Sequence, residues 1–342
     1  MKRRDRILTT ITHGIPDRVP IGFDAWQDTN RRIYAYYGAQ GPLDLYEKTG
    51  IDRLSLWDWP ACLPRYVGPP REGVEHIDPS FSFWGKVSER IYPLLVGLER
   101  YRWPRAEDFD FAQLAAGMEE AHQRDMVSIT GHIGVGLQHH IQMRGYEQAM
   151  FDVMDDAFME EYMGRLREFY LPYLEALMAA GRGRIDLVRS DEDIGGQNAM
   201  LINPATWRRW YKPLWTEAYA IVHRYGGRVW LHSCGYCRDV VEDYIEMGAD
   251  VLDPIPPYVK NSDPLDMKRT YGDRLCLQGG VNHIDALVNG TPEIVRAEVE
   301  LRMEQMKPGG GYICCPSQFL TDQMPLENIV AFFDAALAYG AY

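Results

Sequence analysis

The sequence predicts an α/β protein that folds as a (β/α)8 TIM barrel in a single domain. Three observations support this: short β-branched segments alternate with longer amphipathic ones, about eight such strands can be counted, and a helix follows most of them. The chain has 342 residues, whereas such a barrel needs ~250. Most of the surplus lies at 58–107, which is rich in Pro, Tyr, Trp and Arg and is predicted to form a lid or hairpin inserted after the second strand.

The predicted strands are short segments rich in β-branched and apolar residues. In chain order they span 19–23, 53–57, 126–130, 185–188, 228–232, 251–253, 275–278 and 311–314. Parallel neighbours need a crossover connection, usually a helix, and right-handed crossovers close such a series into a barrel.

Predicted helices occupy the gaps between the later strands. They span 156–180, 204–225, 239–247, 264–271, 291–306 and 325–339. Thr291 can cap the fifth of these, with Pro292 in the first turn, where a missing N–H costs nothing, and Pro325 opens the sixth in the same way. His139 and His140 are neighbours in a further predicted helix, so one is expected to be buried and the other exposed.

The composition argues against several classes of protein. Nine Trp, 21 Tyr and 11 Phe supply more buriable surface than disordered chains contain. A net charge of −13 disfavours nucleic acid and anionic membranes as partners, although a locally basic pocket can still hold a small anion. Apolar runs fall well short of the ~20 residues that span a bilayer. The basic N-terminus is not followed by the apolar core and cleavage site of a signal peptide, so a cytoplasmic protein is expected.

Barrel enzymes place their catalytic residues where strands end, in the βα loops. Polar residues gather at these points in this sequence. Asp58 and Asp193 are the candidate catalytic acids. The candidate substrate-binding residues are Asp24, Trp26, His132, Gln197, Gln278 and Gln318.

The most specific pattern is His232-Ser233-Cys234. Residues two apart on an extended chain face the same side, so the imidazole and the thiolate can converge on one metal ion. Catalytic zinc needs about three protein ligands, and the last strand ends in Cys314 and Cys315, of which at most one can face the same way. The alternative is that these cysteines are small buried hydrophobic residues and that His232 is a hydrogen-bonded core residue.

A run of acids, Asp191 to Asp193, follows the fourth strand and precedes Gly195 and Gly196. Three adjacent acids are costly unless they meet a cation, a substrate hydroxyl or water. The alternative is a solvated loop with a helix-capping role. The two glycines could approach a phosphate, but they lack the spacing of a dinucleotide-binding or P-loop motif.

Several segments together resemble the uroporphyrinogen decarboxylase superfamily. They are Arg-Asp-Arg-Ile-Leu…Pro-Asp-Arg-Val-Pro-Ile (4–21), Asp-Ile-Gly-Gly-Gln (193–197), Trp-Leu-His-Ser-Cys-Gly (230–235), Gly-Gly-Tyr-Ile (310–313) and Pro-Leu-Glu-Asn (325–328). They occur in order over nearly the whole chain. The resemblance implies a (β/α)8 barrel, in agreement with the strand count.

The superfamily contains two main chemistries. Its decarboxylases act on a porphyrinogen without a cofactor and carry an Arg-rich stretch after the first strand. This chain has Phe-Asp-Ala-Trp at 23–26 instead, and Arg31 and Arg32 do not reproduce the spacing. Without those guanidiniums a polycarboxylate lacks its natural partners, so the resemblance favours the other branch, the zinc-dependent, corrinoid-linked methyltransferases.

In that branch the resemblance implies that His232, Cys234 and a third group bind zinc, which holds a small substrate thiol as thiolate. The thiolate attacks the methyl group of a methylcobamide presented by a separate corrinoid protein, or the reaction runs the other way on a small methylated substrate. The family position of the last ligand falls on Gln318, but a nearby thiolate binds zinc better than an amide. Cys315 is therefore predicted as third ligand, because Ile313 and Cys315 share the face expected to point inward.

Two alternatives to the methyltransferase remain open. One is a decarboxylase or lyase that uses Asp58 and Asp193 without a metal, on a porphyrinogen-like or other small carboxylate substrate. The other is a barrel that binds a corrinoid or tetrapyrrole without turnover. The sequence is also compatible with a homodimer.

Overall fold

The computed structural model describes residues 1–52, 63–69 and 97–342, apart from the side chains of residues 132 and 133. The predicted strand at 53–57, the candidate acid Asp58 and most of the predicted lid at 58–107 lie outside the described residues. The side chain of the candidate substrate-binding residue His132 lies outside them as well.

The described residues contain a central sheet of six parallel strands and a separate antiparallel pair. The pair is β1 (Arg65–Tyr66) and β2 (Phe109–Asp110), and the sheet comprises β3 (Ile129–Ile133), β4 (Leu187–Asp191), β5 (Arg228–His232), β6 (Val251–Ile255), β7 (Cys276–Val281) and β8 (Tyr312–Pro316). The last six pair in the order β3-β4-β5-β6-β7-β8. The segment 19–25 lies on the other side of β8, through parallel bridges of Ile21 with Cys314 and of Ala25 with Leu320. A first strand that returns to the last is the arrangement of a (β/α)8 barrel, which confirms the predicted fold.

Helices connect each of the strands from β3 onward to the next. The α-helices are α1 (Arg3–Ile11), α2 (Gln27–Tyr37), α3 (Pro42–Thr49), α4 (Leu114–Gln123), α5 (Leu137–Arg144), α6 (Tyr146–Asp152), α7 (Asp156–Ala180), α8 (Pro204–Trp210), α9 (Lys212–Arg224), α10 (Val241–Met247), α11 (Pro264–Tyr271), α12 (Pro292–Met306) and α13 (Leu326–Tyr339). A search of the described residues for a helix long and apolar enough to cross a membrane finds none.

The predicted bounds hold for α7, α11 and β5. The helix predicted at 204–225 is instead two helices, because Pro213 at the start of α9 has no N–H with which to continue α8. The helix predicted at 239–247 begins as a 3-10 turn over Arg238–Val240. Strands β3, β4, β6, β7 and β8 each extend two or three residues beyond their predicted ends, into the polar residues that form the mouth of the barrel.

The barrel interior has an apolar layer below a polar one. The apolar layer packs against Ile7 and Ile11 of α1 and comprises Leu187, Trp230, Val251, Cys276 and Ile313. Strand residues two apart face the same side, so the next inward positions toward the carboxyl ends are polar. They are Arg189, His232, Asp253, Gln278 and Cys315. The N-terminal end of the barrel is therefore closed by apolar contacts, and the C-terminal end is lined by functional groups.

The opening segment of the chain forms a buried ion cluster around Asp52. Nη1 of Arg6 and Nη1 of Arg18 each donate to the Asp52 carboxylate at 2.5 Å, and the Ile21 backbone N–H donates to it at 3.1 Å. Arg6 also pairs with Asp17 at 2.7 Å. These contacts join α1 and the first barrel segment to the residue that precedes the second predicted strand.

A described piece of the predicted lid, β1, pairs with β2, which follows the lid in the chain. β1 pairs antiparallel with β2, with Arg65 opposite Asp110 and Tyr66 opposite Phe109. The ring of Phe109 is buried and packs on Tyr173 of α7, with ring centroids 4.7 Å apart. This hairpin-like pairing anchors the segment to the barrel wall, while its function as a lid stays a prediction.

The expectation for His139 and His140 is wrong, because both are buried in α5. Nδ1 of His140 lies 2.7 Å from the Tyr211 hydroxyl, and Nε2 lies 3.1 Å from Asp152, which also binds Arg144. Burial lowers the pKa of His140, and it outweighs the hydrogen bond to the Asp152 carboxylate, which acts in the opposite direction. Tyr162 of α7 and Tyr211 between α8 and α9 cover the side of α5 that its own sequence pattern assigns to solvent.

This buried histidine predicts a pH-dependent stability. Below pH ~6.5 the unfolded chain protonates His140, while the folded protein resists protonation, so the free energy of unfolding falls as the pH drops. The His140→Gln variant keeps a polar group at this position but cannot titrate. The change of its unfolding free energy with pH should therefore be smaller than that of the wild type, by up to about 1.4 kcal/mol per pH unit. Urea unfolding between pH 5 and pH 8 measures both slopes, and equal slopes would contradict the prediction.

Candidate active site

Three potential metal ligands meet where β5 ends. Nε2 of His232 lies 3.3 Å from Sγ of Cys234 and 3.8 Å from Oδ1 of Asp193. One donor atom from each residue lies within 4.8 Å of the other two. His232 and Cys234 thus converge as their spacing predicts, and Asp193, predicted as a catalytic acid, lies beside them. We call these three residues the donor group.

Backbone contacts between the loops after β4 and β5 fix the donor group. The N–H of Cys234 donates to Oδ1 of Asp193 at 2.7 Å. Gly235 has a φ of +82°, and a Cβ at this position would lie 2.2 Å from the carbonyl oxygen of Gly195. Only glycine tolerates both the conformation and the space. Gly195, considered above as a phosphate contact, therefore has a packing role that brings the two loops together.

The carboxylate of Asp193 is also held from α5. Nε2 of Gln138 donates to Oδ2 of Asp193 at 3.3 Å, and the Asp193 N–H donates to Oε1 of Gln138 at 3.1 Å. Burial raises the pKa of Asp193, against the opposing effects of His232 and of the hydrogen bond from Cys234. This carboxylate is therefore oriented before any ligand binds.

Asp253 orients the imidazole of His232. His232 on β5 and Asp253 on β6 lie directly opposite each other in the sheet, and Nδ1 of His232 lies 2.9 Å from Oδ2 of Asp253. Burial opposes the charged imidazolium, but the Cys234 sulfur and the hydrogen bond to Asp253 outweigh it and raise the pKa of His232. With Nδ1 bound to the carboxylate, Nε2 is the ring nitrogen that faces Cys234. A carboxylate behind a histidine is the usual support of a metal-ligating imidazole.

A small pocket lies beside His232. Five of the predicted site residues line it: Asp24, His232, Gln278, Cys315 and Gln318. Two charged residues, Arg189 and Asp253, complete its polar wall, and Arg189 was not predicted. The donor group and the pocket therefore share His232 as a common wall.

Arg189 is a buried cation within the barrel. Its Nε donates to Asp191 at 2.9 Å, its Nη1 lies 3.9 Å from Asp24, and its guanidinium carbon lies 4.6 Å from the centre of the Trp230 ring. Burial opposes the charge, but the carboxylates of Asp191, Asp253 and Asp24 outweigh it and raise the pKa of Arg189. The guanidinium is thus held charged and rigid in the pocket wall.

Cys315 faces the pocket, whereas Cys314 packs in the outer core between the sheet and the helices. This is the orientation inferred from barrel packing. Among the described residues, however, the donor group includes Asp193 as its third member and does not include Cys315. Burial raises the pKa of the Cys315 thiol. The assignment of Cys315 as third ligand stays a prediction, and the geometry favours Asp193.

The other candidates are exposed or lie outside the described residues. Trp26, Gln197 and Gln318 are exposed in the loops after their strands, and Gln318 reaches the rim of the pocket. Their substrate-binding roles stay predictions, as do the catalytic role of Asp58 and the substrate-binding role of His132.

The sequence analysis missed Arg189, although it had a signal. Arg189 is a charged residue in the middle of a parallel strand, where both faces are normally buried, and a buried charge is informative by itself. Asp253 ends the strand next to that of His232 and so occupies the position from which a carboxylate can support it.

Comparison with known proteins places this site in a family. A family model described as Uroporphyrinogen decarboxylase (URO-D) matches residues 104–339, well over half of the chain. The chain belongs to the uroporphyrinogen decarboxylase family. The matched region contains the donor group and most of the pocket wall, so the resemblance inferred from the sequence motifs is confirmed.

Its relatives are enzymes of both branches. Methylcobamide:CoM methyltransferase MtaA of Methanosarcina barkeri is 25% identical over 174 residues, 51% of this chain and 47% of that protein. Uroporphyrinogen decarboxylase of Pseudoalteromonas translucida (strain TAC 125) is 32% identical over 76 residues, 22% of this chain and 21% of that protein. The aligned segments thus span less than half the length of either curated relative.

A solved structure of a methyltransferase from Methanosarcina mazei matches 99% of this chain and 99% of its own, with a TM-score of 0.69 and 18% identity. At this identity the match establishes the fold alone. It covers 99% of the chain and agrees with the (β/α)8 barrel assigned from the strand order.

Proposed function

We propose that this protein is a metal-dependent methyltransferase that moves a methyl group between a corrinoid and a small thiol. The observation that carries the proposal is the donor group: three side chains with N, S and O donors meet at the mouth of a barrel, where barrel enzymes bind their substrates. The relative with methylcobamide:CoM methyltransferase activity supports the same class of reaction.

The donor group fits zinc. Zinc takes imidazole nitrogen at ~2.0 Å and thiolate sulfur at ~2.3 Å, so two such ligands of a tetrahedral ion lie roughly 3.5 Å apart. The measured separation of His232 Nε2 and Cys234 Sγ is 3.3 Å. Catalytic zinc sites have three protein ligands and an open position, and Asp193 supplies the third donor without displacing the other two.

In this proposal His232, Cys234 and Asp193 hold zinc, which when bound lowers the pKa of a substrate thiol. Asp253 and Gln138 act as positioning residues, because they hold the imidazole and the carboxylate through hydrogen bonds. The pocket beside His232 receives the rest of the thiol substrate.

The proposed reaction forms a bond between the substrate sulfur and the methyl carbon of a methylcobamide. The carbon–cobalt bond breaks and its electron pair stays on cobalt, while the thiol proton leaves to solvent. The corrinoid is large and needs the open end of the barrel, so a separate corrinoid protein that docks there is the partner proposed for this chain.

The decarboxylase alternative has less support in the described residues. Arg31 pairs with Asp28 on the surface of α2, and Arg32 donates to the carbonyls of residues 322 and 324. Neither guanidinium lines the pocket, as recognition of a porphyrinogen carboxylate would require. Asp58, the other acid in this alternative, lies outside the described residues.

The proposal predicts that zinc-loaded protein demethylates methylcobalamin in the presence of a small thiol. Loss of the methylcobalamin absorbance and formation of the methyl thioether measure the transfer, and protein treated with a chelator is the control. Turnover of uroporphyrinogen with equal activity in chelated protein would contradict the proposal. Zinc bound without any methyl transfer to a panel of small thiols would contradict the activity but not the metal site.

A further inference from the structure

Two buried polar atoms in the pocket beside His232 have no hydrogen-bond partner among the described residues. They are Nη1 of Arg189, a donor, and Oε1 of Gln278, an acceptor. Arg189 is 4% exposed and Gln278 is 2% exposed. Buried polar groups are rarely left without a partner, so an unpaired donor and an unpaired acceptor on residues that line one pocket indicate a bound partner.

The surrounding contacts hold the Arg189 guanidinium in place. Arg189 cannot turn away, because Asp191 binds its Nε and the Trp230 ring covers its face. Gln278 is buried in the wall of the same pocket, and its Oε1 has no hydrogen-bond partner among the described residues. The pocket wall therefore offers a fixed donor from Arg189 and an acceptor from Gln278.

We infer that this pocket binds the uncharged, hydroxyl-bearing end of the substrate. A hydroxyl group accepts one hydrogen bond and donates another, so it can satisfy Arg189 and Gln278 together. This inference rests on the proposed function for the reacting end of the substrate, but it concerns a separate group of residues that can be tested by binding alone.

Charge decides against the two other ligand classes. A carboxylate end would leave the Gln278 carbonyl unpaired and would face the carboxylates of Asp24 and Asp253 in the pocket wall. An ammonium end would leave Nη1 of Arg189 unpaired and would lie against its positive charge. Asp24 and Asp191 already neutralise Arg189, with N–O distances of 3.9 Å and 2.9 Å, so the guanidinium offers a directed donor more than a free charge.

Three probes of nearly equal size test the inference: 2-(methylthio)ethanol, (methylthio)acetate and 2-(methylthio)ethylamine, which end in a hydroxyl, a carboxylate and an ammonium. Saturation-transfer NMR titrations on metal-free and zinc-loaded protein give the three dissociation constants. The hydroxyl probe should bind at least tenfold more tightly than both charged probes. Equal affinities, or tighter binding of either charged probe, would overturn the inference.

Two variants connect the preference to the two residues. Gln278→Met removes the acceptor at similar length, and Arg189→Lys keeps the charge for Asp191 but removes the Nη1 donor. Each should weaken binding of the hydroxyl probe about three- to tenfold, the effect of one hydrogen bond, and leave the charged probes unchanged. Gln123→Met on the exposed surface of α4 is the matched control, and melting curves identify any variant that has lost its fold. An unchanged preference in both folded variants would overturn the inference.

The outcomes for the binding site and for the activity are separable. A hydroxyl preference without methyl transfer would leave the pocket assignment standing and remove the methyltransferase. Methyl transfer to charged thiols, with no preference for the hydroxyl probe, would support the methyltransferase and overturn the pocket assignment.

Discussion

Replacing Cys234 with Ser should abolish zinc retention and methyl transfer together. The Cys234 sulfur lies in the donor group, 3.3 Å from Nε2 of His232, and a hydroxyl is a much weaker zinc ligand than a thiolate. Loss of residues that only support metal ligands costs 10–100-fold in affinity, so loss of a ligand should cost more than about 100-fold. Metal analysis of protein purified without chelator, with a competitive zinc titration, measures the change.

The same titration identifies the third ligand. Asp193→Asn keeps the acceptor for the Cys234 N–H but lowers the basicity of the metal donor, so it should weaken zinc binding strongly if Asp193 completes the site. Cys315→Ser should then have little effect, and Cys314→Ser, whose side chain points away from the pocket, is the control. Strong loss with Cys315→Ser and none with Asp193→Asn would restore the original prediction. Zinc retained in the folded Cys234→Ser variant would contradict the donor group itself.

The difference between Cys315 and Asp193 as third donor shows what local pattern can and cannot supply. Alternation along β8 correctly predicts that Cys315 faces inward. It cannot predict the separation of residues on different loops, because that depends on how those loops pack. Here the contact of Gly235 with Gly195 holds the loop after β4 against the end of β5. Asp193 belongs to that loop and therefore lies beside His232 and Cys234.

The strands and helices from β3 onward are predictable because each has a buried face with a regular apolar pattern. The N-terminal helices α1 to α4 are not predicted. The inner faces of α1 and α4 include polar or small residues such as Arg6, Thr10 and Gly117. Those residues become buried through partners far away in the sequence. Arg189 was missed for the same reason: its burial is stabilised by Asp191 and Trp230, and only the assembled barrel brings the indole against the guanidinium.

The buried ion cluster around Asp52 predicts the largest change in stability. Removing one partner of a buried ion pair leaves the other charge uncompensated, which costs about 3–5 kcal/mol. Asp52→Ala leaves both the Arg6 and the Arg18 guanidinium without this carboxylate and also unpairs the Ile21 N–H. Arg6 retains Asp17, so the expected loss is near the lower limit, about 3 kcal/mol.

Urea unfolding of Asp52→Ala, Asp52→Asn and Asp28→Ala measures this effect against two controls. Asp52→Asn keeps an acceptor for the Ile21 N–H, so it should lose less than Asp52→Ala. Asp28 pairs with Arg31 on the surface, where their side chains are 78% and 66% exposed, and its removal should cost under about 0.5 kcal/mol. A loss below about 1 kcal/mol in Asp52→Ala would mean that water replaces the carboxylate at low cost. The cluster lies on the segment that leads to Asp24, so a destabilised Asp52→Ala protein should also bind the hydroxyl probe more weakly, whereas Asp28→Ala should not.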